Sequence, residues 1–131
     1  MSPHDKQPDC VTADEIAKSN LLLEAQLLRA QQHTDEAAAK FAQAAELEER
    51  LSEASMAKGD RTQAWVHHFS AAGCWAQAGN FHEAITLGEQ LLAQPDLPPK
   101  LRKQVQEYTS ALRRRRDEWS SGLTLVSTEA K

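Results

Sequence analysis

The chain has 131 residues, 40% of them hydrophobic, with 15 basic and 19 acidic side chains and a net charge of −4. That length suits one domain with a tail or two and an unaided core. No apolar run approaches the ~20 residues that cross a bilayer, so a membrane span is excluded. The apolar share is mostly Ala and Leu with few β-branched residues, which favours helix over sheet. Charge is uneven. Residues 1–58 hold 6 basic groups against 11 acidic, residues 59–97 hold 1 against 4, and residues 98–131 hold 8 against 4. An acidic body with a basic end suggests neutralisation between neighbouring helices, or contact with an acidic partner.

In chain order, residues 1–11 are polar and proline-bearing, and a disordered tail is expected. They contain no hydrophobic signal core, and Cys10 and Cys74 fit no metal or redox spacing, so a reducing, cytoplasmic setting is expected. Thr12 and Glu15 form a capping box, with Val11 placed to staple onto Ile16, and start a helix over about 13–32. Ile16, Leu23, Leu27 and Ala30 share one face and Ala17, Leu21 and Leu28 another, so this helix is expected to have neighbours on both sides. Thr34 is the expected cap of a long second helix, 35–58, with Ala37, Phe41, Ala44, Leu47, Leu51 and Ala54 inward. Lys58 and Gly59 end it.

Asp60 to Gln63 opens the third helix, 61–78. Trp65, Phe69, Ala72 and Trp75 form one stripe; Ala64, His67, Ala71, Cys74 and Ala78 form a second. Gly79 supplies a left-handed stop, and Asn80 with Glu83 caps the fourth helix, 81–93, at once. Gln94 to Pro99 is a proline-marked break. The fifth helix, 98–119, puts Leu101, Val105, Tyr108, Leu112 and Trp119 on one face, with Arg113, Arg114, Arg115 and Arg116 near its end. Residues 121–131 are Ser/Thr-rich, and a mobile tail is expected. The domain over 12–120 is therefore all-α, with antiparallel hairpins of about five helices.

Placing Glu36-Ala37 over Glu83-Ala84 superposes the two hairpin turns. In the first copy Ala25, Leu28, Ala37, Phe41 and Ala44 fall on small, large, small, aromatic and small sites. In the second, Ala72, Trp75, Gly79-Asn80-Phe81 and Glu83-Ala84 recur. The pattern resembles the tetratricopeptide repeat over about residues 17–96. The copies lie 47 residues apart rather than the family's 34, and Gly88 stands where an aromatic is usual. The resemblance implies a short α-α superhelix of two elongated hairpins with the fifth helix as a cap. A generic five-helix bundle is the alternative.

No phosphate loop, nucleophile motif or metal-ligand spacing is present, so no enzyme activity and no cofactor are expected. Adjacent His67 and His68 point about 100° apart on a helix and do not jointly chelate. Cys74 reads as a small buried hydrophobe. By the resemblance, ligand-facing positions are Ser19, Leu22, Gln26 and Arg29 on the first helix and Val66, Phe69, Gly73 and Gln77 on the third. The set lacks the Lys/Asn pattern with which some family members hold a terminal carboxylate. Phe69 and Val66 could instead pack on the fifth helix.

The expected role is a non-catalytic adaptor that binds a protein segment, or a second copy of itself, through this groove. The first alternative is a dedicated chaperone for a secreted or toxic partner, which small acidic tetratricopeptide proteins resemble. The second is a nucleic-acid-associated regulator using Arg113 to Arg116. The acidic body and sparse aromatics disfavour nucleic acid, and an acidic protein segment suits those arginines better.

Overall fold

A computed structural model describes the backbone of residues 12–129 and the side chains of residues 12–121. The expected tail over 1–11, with Cys10 and the Val11 staple, lies outside the described residues. Five helices follow one another: α1 (Ala13–Ala30), α2 (Thr34–Ala57), α3 (Arg61–Gln77), α4 (Phe81–Leu92) and α5 (Pro99–Glu129). Each packs against the next, as in a stack of helical hairpins, and no strand occurs among the described residues.

Local signals set most boundaries. The Thr12 hydroxyl accepts from the Glu15 amide at 3.1 Å, and the Glu15 carboxylate accepts from the Thr12 amide at 3.2 Å. The Asp60 and Asn80 side chains accept from the third residue inward, Gln63 and Glu83, at 3.1 and 3.2 Å. Their return halves are missing, since neither Gln63 nor Glu83 bonds back to its cap. Gly59 and Gly79 both sit at φ +85°, the left-handed conformation a side chain resists.

The first turn departs from expectation. The cap of α2 is His33, which makes no side-chain capping bond, and Thr34 is already helical. Gln32 takes the left-handed place, at φ 68°. The chain therefore turns one residue sooner than a search for a capping hydroxyl suggests. The helix α5 is also longer than expected, running to Glu129 through most of the 121–131 segment. No proline follows Pro99, and one glycine costs a helix only about 1 kcal/mol.

Small residues bring the helices together. Ala25, Ala44, Ala45, Ala64, Ala71 and Ala72 are wholly buried, and Ala37 and Ala84 are 2% and 1% exposed. Between α4 and α5 the approach is closer still. A Cβ on Gly88 would lie 2.3 Å from Thr109 Oγ1, which accounts for glycine where the repeat pattern has an aromatic. Trp75 touches the clusters built by α2, α3, α4 and α5, and its indole N–H donates to Glu49 Oε2 at 2.6 Å.

Inward assignments on α1, α2 and α5 are corrected, and Ala30, on the expected α1 stripe, is exposed. Ile16, Leu23 and Leu27 are 53%, 62% and 59% exposed. Helix α1 packs chiefly on α2 and meets α3 along one side, and as the first described helix of the stack its opposite face is left uncovered by the described residues. Ala54 is exposed near the end of α2. Trp119 is 65% exposed, two turns beyond Leu112, the last buried residue among the described side chains of α5. Among the described residues no helix is long and apolar enough to cross a membrane.

Candidate functional site

Helices α1 and α3 both pack on α2, and the faces they turn to one another bound a groove. Spacings of three and four keep Lys18, Leu22 and Gln26 on one side of α1, and Ser70, Gly73 and Gln77 on one side of α3. Phe41 and Glu48 of α2 and Cys74 of α3 complete the lining, with Tyr108 reaching in from α5. The cavity volume is about 400 Å³. Gly73 keeps the α3 wall low. A Cβ there would meet only the Tyr108 hydroxyl, at 3.8 Å.

A buried polar network lies beneath. Glu48 is 3% exposed, with Oε1 2.7 Å from His67 Nδ1 and Oε2 3.3 Å from Lys18 Nζ. A carboxylate can only accept, so His67 Nδ1 carries a proton. The other ring nitrogen, Nε2, lies 3.4 Å from the Gln63 amide. One turn away, the Ser52 hydroxyl donates to the Ala64 carbonyl at 2.8 Å. Burial, helped by the Glu48 charge, pushes the Cys74 thiol up to about 11. Cys74 thus keeps its proton, and His67 spends both nitrogens on other partners, so the trio holds no activated nucleophile. Among the described residues no group of three or more His, Cys, Asp or Glu side chains could hold a metal ion. His68 points elsewhere, 3.1 Å from Gln90.

Of the residues picked from sequence, Leu22, Gln26, Gly73 and Gln77 line this groove together. Arg29 stands at its end, where Nη1 donates to Gln77 Oε1 at 2.5 Å. Val66, 43% exposed, precedes Ser70 by one turn on the same side of α3. Phe69 does not face the groove. Its ring meets Tyr108 edge-on at 5.5 Å and packs against the cluster of Trp65, Leu91, Leu97 and Val105. Ser19 is exposed, and Lys18 beside it takes the groove position. Sequence reasoning missed Lys18 and Ser70, although each lies four residues from a chosen position. Tyr108 could not be found that way, because its place depends on how α5 closes the stack.

The arginine run disperses. Arg113 pairs with Glu89 of α4, and Arg116 pairs with its neighbour Asp117 at 3.2 Å. Arg115 lies over Phe81, 5.3 Å from the ring centre, and Arg114 is exposed. Successive helical positions point in different directions, so the run offers no continuous basic face for a phosphate backbone.

No protein-family model matches the chain, and no curated protein or solved structure matches it either.

Proposed function

We propose that the protein is a non-catalytic interaction module that holds a segment of a partner protein in the α1–α3 groove. The observation that carries this reading is the groove itself, in which Leu22, Gly73 and Tyr108 supply apolar surface between the amides of Gln26 and Gln77. Apolar surface set among polar groups is how clefts hold and orient ligands, and the Gln26 amide and the Gln77 NH₂ suit the backbone of an extended peptide. The tetratricopeptide-like spacing of Ala25, Ala37, Ala72 and Ala84 supports the same role, since such stacks work by presenting extended binding surfaces.

Gly73→Leu tests it. The new side chain enters the groove rather than the core, since only Tyr108 Oη lies within 4 Å of the added Cβ, and leucine is the better helix former. Peptides enriched from a random display library on the wild-type protein should bind this variant at least about tenfold more weakly, a loss of about 1.4 kcal/mol. Its thermal midpoint should be unchanged or higher. Equal binding by both proteins, or no enrichment on the wild type, overturns the reading.

A further inference from the structure

A second cavity of about 450 Å³ shares Gln77 and Tyr108 with the groove and is otherwise lined by Arg29, Ala76, Gly79, Phe81 and Arg115. In a chain with net charge −4, this lining holds two arginines and no carboxylate. We propose that this cavity receives an acidic side chain, aspartate or glutamate, of the peptide segment held in the groove. The inference rests on the groove reading above and specifies its ligand.

Both guanidinium groups are already oriented. Arg29 lies over the Phe41 ring at 4.9 Å and Arg115 over Phe81 at 5.3 Å. A guanidinium stacked on a ring by its flat face keeps its N–H groups pointing outward from the edge. The surrounding basic residues are occupied differently: Arg113 has Glu89, Arg116 has Asp117 and Lys18 has Glu48. Arg29 and Arg115 form no ion pair among the described residues. Arg29 donates to the Gln77 carbonyl oxygen, which leaves the Gln77 NH₂ as a further donor. Burial pushes the Tyr108 hydroxyl above its ordinary value, so it too keeps a proton to donate. Two guanidiniums, an amide and a phenol therefore border one cavity, a donor set that suits a planar, bidentate carboxylate.

Four helices line the cavity, and three of them supply its donors. Arg29 comes from the end of α1, Gln77 from the end of α3, and Tyr108 and Arg115 from α5, two turns apart. The site exists only in the folded stack. Its register against the groove follows from helix geometry. Gln77 lies four residues beyond Gly73 and seven beyond Ser70, a rise of about 6 to 10 Å, or two to three residues of extended peptide. The favoured segment therefore carries its acid two or three residues from an apolar side chain seated over Gly73. A nucleic-acid strand is a poorer occupant, because residues 1–97 carry 7 basic groups against 15 acidic, and a polyanion would be repelled along most of its length.

The probes are blocked octapeptide pools with Leu, Phe or Trp at position 4. Aspartate/glutamate, asparagine/glutamine or phosphoserine occupies one of positions 1, 2, 6 and 7, so both chain directions are sampled. Wild-type protein is compared with the double variant Arg29→Gln/Arg115→Gln and with Arg114→Gln, a control at an exposed residue outside both cavities. The acidic pool should bind wild type and the control about tenfold more tightly than the amide pool. That preference should fall to within about twofold in the double variant and shrink with added salt, while the amide pool binds all three proteins alike. An acidic preference that survives in a folded double variant overturns the proposal. So does amide binding as tight as acidic binding, which leaves the groove reading standing. Phosphoserine exceeding the carboxylates by tenfold overturns the assignment of the ligand. Absence of binding by every pool to the wild type overturns the groove reading and this proposal together.

Discussion

The two hairpins of this chain make the same turn by different means. After α1, the His33 amide donates to the Leu28 carbonyl at 2.8 Å and Gln32 to Arg29 at 2.9 Å. After α3, Asn80 donates to Trp75 and Gly79 to Ala76, both at 2.9 Å. This is one helix-ending motif, built once inside each hairpin and again at Gly59 between them. The second hairpin has glycine at the left-handed residue and asparagine as a working cap. The first has glutamine there and a histidine with no capping bond. The hairpins differ in cover as well: α3 and α4 lie between α2 and α5, whereas α1 leaves Ile16, Leu23 and Leu27 exposed. The second hairpin is determined locally, and the first is held in shape by packing on α2.

The sharpest contrast comes from two positions 47 residues apart, Phe41 and Gly88. Phe41 is 3% exposed, among Ala25, Ala37, Leu22, Leu28 and Ala78. Phe41→Ala opens a cavity there and should cost about 3–5 kcal/mol in urea unfolding. At Gly88 the fault is the reverse. Gly88→Ala places a methyl group 2.3 Å from Thr109 Oγ1, and Thr109 has little rotamer freedom on a helix. That strain should cost about 1–3 kcal/mol. The Thr109→Ala partner change should restore most of it, because it removes the crowding atom, which has no hydrogen-bond partner of its own. If Gly88→Ala is neutral and shows no coupling to Thr109, the close approach of α4 and α5 is not what the glycine serves.

The turns themselves come next. Gly79→Ala should lose about 1–2 kcal/mol, the ordinary penalty of a side chain in the left-handed region. Gln32→Gly should gain up to about 1 kcal/mol by relieving the same strain, less the extra chain freedom of glycine. His33→Asn should add a capping bond worth about another 1 kcal/mol. The comparison breaks if thermal melts show Gln32→Gly destabilising as much as Gly79→Ala, for then the glutamine side chain has a role of its own.

These differences also explain what could be read in advance. The Thr12, Asp60 and Asn80 caps, the Gly59 and Gly79 stops and the inward Ala37 and Ala84 were legible because each depends on a few neighbouring residues. The α1–α2 turn misled because the capping hydroxyl of Thr34 was present but unused. Amphipathic spacing in α1 foretold an apolar stripe but could not tell whether anything lay against it. At the groove, helix periodicity found Leu22, Gln26, Gly73 and Gln77. It could not sort Phe69 from Val66, since that depends on α5, some forty residues further along. The Arg29–Arg115 pairing was out of reach for the same reason, as it joins the two ends of the array.

The smallest effect concerns a titrating group in the second hairpin. His68 lies between α3 and α4, with Gln90 at 3.1 Å and Glu49 of α2 nearby. Burial lowers its proton affinity below the ordinary histidine value, against the opposing pull of the Gln90 bond and the Glu49 charge. The unfolded chain therefore binds the proton more readily than the folded one. This contribution is intact above the unfolded value of about 6.5 and is lost as pH falls through the lower folded value. Because the ring is only partly buried, the loss should be modest and visible mainly as a difference. Urea midpoints measured from pH 7.5 to 5 should fall further for the wild type than for His68→Gln, which keeps a polar group beside Gln90 but cannot titrate. Identical midpoint slopes in the two proteins would mean that His68 is as well hydrated in the folded chain as in the unfolded one. A steeper fall in the variant would mean that the pull of Glu49 outweighs burial, and that the α3–α4 face is wetter than its packing implies.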